Sequence, residues 1–246
     1  MKNTVKRSRH DINHVKVSGQ INKIWSNNED VYVGLDLGDK SQATLMLKSG
    51  EVNGEMVTLM QGDEILVHGF VKDAPYFESL QKFLERSKSN IPNVPDVEIK
   101  RAMTVIVPES LESDPEEKTN IVRLEGTIVR SWRYDKDLFA RIAIFDIRAQ
   151  EQQTNAYYVT LKYTKNTVSN RKVTLDDLKE GSRIKVSGRI LESRYQENLN
   201  KFLGRTDVDL NMLKVEKATA ERTWANYLQT VVEVGQMIQF SKKTKK

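Results

Sequence analysis

Aromatic and cationic residues interleave in two stretches of this 246-residue chain. The denser stretch runs through Arg130, Trp132, Arg133, Tyr134, Phe139, Arg141, Phe145, Tyr158, Lys162 and Lys165, with Arg189 further on. The sparser one holds Lys16, Lys23, Trp25, Tyr32 and Lys48, and Arg123 stands at the repeat position of Lys16. Flat π-faces stack on unpaired bases at roughly 1–3 kcal/mol per base, and neighbouring cations neutralise phosphates. The chemistry on offer is therefore noncovalent capture of planar, anionic chains.

Other chemistries find no constellation. There is no cysteine, hence no thiolate and no cysteine zinc site. His10 and His14 have helical spacing but no third ligand. Gly38 to Ser41 lacks the upstream glycine of a phosphate loop and reads as a hairpin turn. No nucleophile–base–orienter set and no paired-acid spacing appear. We expect no enzyme, no cofactor and no metal.

The elements that position these residues emerge from an internal repeat. Val15 to Trp25 is echoed by Val122 to Trp132, offset by 107, with Gly19/Gly126 and Ile21/Ile128 in register. Gly62 to Val71 is echoed by Gly181 to Ile190, offset by 119. The extra residues of the second copy are assigned to the polar stretch Lys162 to Lys172. Strict alternation has the period of half-buried strands. Further strands are expected at Val31 to Leu37, Thr44 to Leu47 and Ile99 to Val107 in copy one, and at Leu138 to Ile147, Tyr157 to Leu161 and Val208 to Val215 in copy two.

Five short strands per copy, with a glycine where a small barrel must bend, fit an OB-fold; another small barrel or a split sandwich is the alternative. The expected fold is all-β with accessory helices: two tandem five-stranded barrels plus a C-terminal helix. The expected division is a basic arm at 1–13, a first OB domain at 14–107, an acidic linker at 108–120, a second OB domain with its helix at 121–240, and a basic tail at 241–246. Helical spacing places helices at Pro75 to Ser89 and Glu216 to Phe240.

Alternation across a strand then assigns faces. Leu138, Ala140, Ile142 and Ile144 point inward, which throws Phe139, Arg141 and Phe145 outward; Tyr158 and Lys162 follow on the next strand. Phe139 and Phe145 could instead pack under a loop or the terminal helix. Copy one offers only Tyr32 and Lys48 beside Gly34, Asp36, Thr44 and Met46, so weaker binding is expected there. Trp25 and Trp132 close the first strand of each copy, as ligand contacts or as core lids.

Bulk properties agree with this chemistry. The net charge is +5, and the excess is in the second half: −1 over residues 1–110 and +6 over 111–246. Basic surfaces attract polyanions. No apolar run is long enough to span a membrane, the basic N-terminus leads into no secretory core, and the absence of cysteine fits a reducing compartment. A cytoplasmic location without membrane contact is expected.

The Val-x-Val/Leu-x-Gly-x-Ile…Trp pattern and the Gly-x-x-Ile-x-Val-x-Gly-x-Ile/Val pattern resemble the first and fourth strands of bacterial and phage single-stranded DNA-binding proteins, in the variant carrying two OB domains per chain. The resemblance covers roughly residues 14–75 and 121–195. It implies sequence-tolerant coating of single-stranded DNA in replication, recombination or repair, association with nucleoid or replisome, replication or repair proteins as partners, and a homodimer that gathers four OB domains. The family's acidic C-terminal tip is replaced here by Lys242 to Lys246, which puts tip-mediated recruitment in doubt. RNA in place of DNA, and an adaptor subunit whose barrels hold partner proteins, are the alternative functions.

Overall fold

A computed structural model of the chain describes residues 11–39, 41–151, 156–169 and 171–240. Residues 1–10 of the sequence-assigned arm at 1–13, and the tail at 241–246, lie outside them, while Asp11 and Asn13 of that arm are buried and Asn13 already opens the first strand. In chain order the elements are β1 (Asn13–Asn27), β2 (Asp30–Gly38), β3 (Ser41–Leu47), β4 (Glu51–Val52), β5 (Glu55–Met56), β6 (Glu64–Ser79), α1 (Leu80–Ser87) and β7 (Glu98–Ser113). The second copy supplies β8 (Asn120–Tyr134), β9 (Asp137–Ile144), α2 (Ile147–Glu151), β10 (Tyr157–Tyr163), β11 (Thr167–Val168), β12 (Arg171–Lys172), β13 (Arg183–Asn198), α3 (Leu199–Leu203), α4 (Lys217–Arg222) and β14 (Trp224–Phe240). No helix among the described residues is long and apolar enough to cross a membrane.

Two compact units form. Among the described residues, the first takes those of 11–73, 104–191 and 231–240, and the second takes 74–103 and 192–230. The first unit contains both barrels. In one, β1 pairs with β2, β2 with β3, β3 in parallel with β7, and β7 with β6, which closes back on β1. In the other, β8, β9, β10, β14 and β13 repeat that order. This is the five-stranded OB arrangement, all-β with accessory helices.

Val15, Val17, Leu35 and Leu45 fill the first barrel, and Val122, Leu124, Ile142 and Leu161 fill the second, all fully buried. The barrels join edge to edge through antiparallel β1–β8 pairing from Asn13↔Leu124 to Val17↔Asn120. Glycine permits the tightest contact in each barrel wall. A Cβ on Gly69 would lie 2.1 Å from the Val107 carbonyl oxygen, and one on Gly188 would lie 2.0 Å from that of Glu233.

Four sequence expectations are corrected. Glu216 to Phe240 is helical only over α4; from Trp224 the chain is the fifth strand of the second barrel. Its apolar residues fit either period, but β-branched Val231 and Val232 and the open barrel edge favour strand. Val208 to Val215 is accordingly turns and loop rather than the fifth strand. The acidic linker is ladder in its first half, because β7 continues to Ser113 and β8 already begins at Asn120. Finally, the extra residues of copy two do not fall at 162–172. The offset is still 107 at Tyr32/Phe139, is 116 at Leu45/Leu161 and reaches 119 only at Gly69/Gly188. Most of the insertion is thus the β9–β10 connection with α2, where the first barrel has a tight turn between Gly38 and Ser41.

The second unit continues the repeat. Tyr76, Glu78, Leu80, Phe83, Leu84 and Arg86 recur at offset 119 as Tyr195, Glu197, Leu199, Phe202, Leu203 and Arg205. Ser79 caps α1 and Asn198 caps α3, each side chain accepting the N–H three residues on. Leu80, Phe83, Leu199 and Phe202 form the buried apolar core, the two Phe rings 4.8 Å apart.

Beside that core Arg101 reaches Glu78, donates to Glu197 at 2.7 Å and to the Tyr227 hydroxyl at 2.8 Å, and lies 4.4 Å over the Tyr227 ring. Arg86 completes Glu78 at 3.0 Å, and Arg205 pairs with Glu197. Burial works against the Arg101 charge, but these partners outweigh it and hold its pKa above the ordinary value. Burial pushes the Tyr195 hydroxyl up to about 12.

Candidate nucleic-acid interface

The outer wall of β1, β2 and β3 carries a row of directly opposed residues, Trp25↔Tyr32↔Met46. The second barrel repeats it as Trp132↔Phe139↔Lys162. A shift in the β1–β2 register between Ile21 and Lys23, matched by one between Ile128 and Arg130, turns Lys23 and Trp25, and likewise Arg130 and Trp132, to the outside. In each barrel the Trp stacks on its cross-strand aromatic with centroids 5.6 Å apart, tilted 16° in the first and 9° in the second. A cation sits by each indole: Lys23 Nζ at 4.5 Å from the Trp25 ring and Arg130 Cζ at 5.6 Å from Trp132.

This geometry revises the roles expected of the aromatics. Tyr32 and Phe139 face outward as alternation required, but only 5% and 7% of their surfaces are exposed. They are platforms under the indoles. Burial raises the Tyr32 hydroxyl pKa, with the Asp30 charge adding to it. The half-buried Trp25 and Trp132 lie over these platforms as the more accessible rings. Met46 was left out of the sequence-based site, although direct opposition to Tyr32 puts it in the row.

The next row differs between barrels. Lys23↔Gly34↔Thr44 in the first becomes Arg130↔Arg141↔Thr160 in the second, so the second wall is more basic. Arg141 lies 5.4 Å over the exposed Tyr158 ring and is held at 2.5 Å by Asp73. Burial drives the Asp73 carboxyl pKa up, against the Arg141 charge and a hydrogen bond from Thr104. Lys162 pairs with Asp137 at 3.0 Å, and Arg189 with Glu233 at 2.7 Å. Lys23, Lys48, Arg130, Arg133 and Lys165 are exposed and have no ion pair among the described residues.

The remaining candidates separate. Tyr134 is exposed at the end of β8, beside Arg133. Phe145 is exposed past the end of β9, where its backbone N–H bonds Asp11 at 2.9 Å. Lys48 and Lys165 lie in the equivalent turns after β3 and β10, Lys48 at the first position of its turn and Lys165 at the second. Lys16, Arg123 and Arg189 do not join the stacks. Lys16 is opposite His68 and Ile121, Arg123 is opposite His14 and Ser187, and Arg189 lies further along β13. They belong to the outer face of the joint between barrels.

The sequence matches no protein-family model and no curated protein. Among solved structures, wild-type single-stranded DNA binding protein from Thermus aquaticus superposes with a TM-score of 0.51 at 12% identity, covering 97% of each chain. A deletion mutant of that protein superposes with the same TM-score at 11% identity, covering 95% of this chain and 97% of its own. At this identity the likeness is one of fold: this chain has the tandem-barrel architecture of the Thermus aquaticus protein over nearly its whole length.

Proposed function

We propose that the chain binds single-stranded DNA without strong sequence preference, by stacking bases on Trp25 and Trp132 and neutralising phosphates with the flanking Lys and Arg. The observation that carries this reading is the duplicated cation–Trp–aromatic stack, built at the same place in both barrels with the same 5.6 Å separation. A stack beneath each indole holds it rigid, which lowers the entropy lost when a base settles on it. Any base offers a π-face, so sequence tolerance follows. The fold shared with a protein whose name states single-stranded DNA binding supports the same reading. Coating and protection of DNA in replication, recombination or repair, within the cytoplasm, is the role this binding would serve.

The decisive comparison is competition for a labelled oligo(dT) of about 35 nucleotides: unlabelled single strand displaces it and duplex does not. Oligo(rU) as a third competitor ranks RNA against DNA, since stacking does not read the 2′-hydroxyl. An adaptor role is the second reading. Phe77, Trp224 and Leu228 of the second unit are exposed apolar side chains suited to a protein partner, and this reading takes over if no oligonucleotide binds.

A further inference from the structure

We propose that Arg141 gives the second barrel a preference for one guanine, reading its O6 and N7 with a locked guanidinium while the neighbouring bases stack without selection. This rests on the reading that the Trp132 stack binds unpaired bases, and it names the base that the wall beside that stack favours.

Two contacts fix the guanidinium. Its Nη2 lies 2.5 Å from Asp73 Oδ2, and its Cζ lies 5.4 Å from the centre of the Tyr158 ring. The Thr104 hydroxyl donates to the other Asp73 oxygen at 3.0 Å. Thr104 is buried and the Asp73 side chain is only 10% exposed, so the carboxylate that sets the fork is itself set. Among the described residues the guanidinium has no other hydrogen bond or ion pair, and the Arg141 side chain is 36% exposed. Its remaining N–H donors are unspent.

Charge decides what they suit. Arg130, opposite Arg141 on β8, is exposed and has no ion pair among the described residues, as a phosphate contact requires. Arg141 differs, because the Asp73 carboxylate cancels its charge and with it most of the counterion release that drives phosphate binding. The planar fork of donors survives that neutralisation. A fork held in one rotamer suits two adjacent acceptors in a plane. Guanine presents them as O6 and N7, and adenine replaces O6 by an amino donor. Cytosine N3 and O2 form a similar pair, but on a single ring that covers less of an aromatic face.

Position agrees. Arg141 and Phe139 are two residues apart on the outer face of β9, roughly 7 Å along the strand. That is about two base steps of roughly 3.4 Å, so the bases beside the one on Trp132 pass the fork. The first barrel lacks the device: Gly34 stands where the second has Arg141, and Gln42 where it has Tyr158.

The test is competition against labelled oligo(dT) of about 8 nucleotides, within the reach of one barrel. The competitors are oligo(dT) itself and the same oligonucleotide with one central dT replaced by dG, 7-deaza-dG, dA or dC. With wild type the dG competitor should bind at least about fivefold more tightly than oligo(dT), the low end for one bidentate pair, and dA and dC should stay within about twofold of it. The 7-deaza-dG competitor, which lacks the N7 acceptor, should lose most of the gain. Arg141→Lys keeps a cation beside Asp73 without the fork and should bring the dG-to-dT ratio to about 1. Asp73→Asn leaves the guanidinium uncompensated, so the log K against log salt slope for oligo(dT) should steepen by about 0.7, one added phosphate.

Equal gains from dG and dA would assign the effect to purine stacking, and a dC gain equal to that of dG would remove guanine as the base read; either overturns the proposal. An Arg141→Lys variant that weakens every oligonucleotide equally, or an unchanged slope in Asp73→Asn, would give Arg141 to phosphate and overturn it as well. The analogue arm uses wild type alone, so it decides even if the variants melt early. Failure of wild type to bind any of the oligonucleotides would instead remove the stacking reading and this one with it.

Discussion

Val15 and Val122 occupy the same position of the internal repeat and face each other directly across the β1–β8 ladder. His14↔Arg123 and Lys16↔Ile121 flank them, each pair the image of the other under exchange of the copies. A residue meeting its own equivalent is the signature of an isologous interface. Here that interface lies within one polypeptide, and it sets the two barrels, and hence their stacks, in two-fold relation.

Trp132→Ala should weaken oligo(dT) binding by about 10- to 100-fold, the cost of one or two lost stacked bases at roughly 1–3 kcal/mol each. Trp25→Ala should do less, because the first wall has Gly34 and Met46 where the second has Arg141 and Lys162. Calorimetric titration of the two variants checks both the loss and its order. Arg141→Ala is a poorer probe of binding. It strips the partner from the buried Asp73, so thermal stability should fall along with affinity.

Arg101→Ala should be among the most destabilising single substitutions in the second unit. It leaves Glu78, with 2% of its side chain exposed, and Glu197, with 12%, short of their shared cation. Breaking a buried pair in this way costs about 3–5 kcal/mol. Urea unfolding read by far-ultraviolet circular dichroism measures it. Replacing Arg101, Glu78 and Glu197 together by Met, Gln and Gln should recover much of the loss, since no buried charge then lacks a partner.

Gly188→Ala should cost at least about 2 kcal/mol, because its Cβ would have to displace the Glu233 carbonyl 2.0 Å away and with it the β13–β14 approach. Gly204→Ala is the control. Its Cβ would meet nothing closer than the Asn200 carbonyl at 3.3 Å, and the residue has helical φ, so the change should be small. Thermal melts of the two variants side by side test the contrast.

Burial pushes the Glu233 carboxyl up, but a hydrogen bond from Thr164 and the Arg189 guanidinium outweigh it, and its pKa lies below the ordinary 4.5. The unfolded chain therefore takes up this proton before the folded one does. The contribution to stability is full above about 4.5, the unfolded value, and is lost as pH falls through the lower folded value. The melting-temperature gap between wild type and Glu233→Gln should be constant from pH 7 to about 5 and shrink toward pH 3.

The barrels were legible because alternation and the repeated glycines mark strands whose one face is buried. The site was legible in part: alternation sent Tyr32 and Phe139 outward correctly but could not foresee that Trp25 and Trp132 would cover them. Applying the 107 offset to Tyr32 and Phe139 would have revealed the shared stack. The second unit was missed although its signal was present, since Tyr76 to Arg86 recurs at the 119 offset already found upstream. β14 was misread because Trp224, Leu228, Val231 and Val232 fit a helix in isolation. The β-branched pair Val231 and Val232 and the need to close the barrel beside β10 and β13 together decide for a strand. The split of Lys16 and Arg123 from the stacks follows from β1–β8 pairing, which no local pattern encodes.

The central claim is tested most directly by indole fluorescence in a Trp224→Phe background, which leaves Trp25 and Trp132 as the reporters. Oligo(dT) of about 35 nucleotides should quench this emission saturably, with an affinity that falls steeply as salt rises and that duplex competitor does not reduce. Tight binding with no change in emission would contradict base stacking on these indoles, and no binding at low salt would contradict the nucleic-acid function itself.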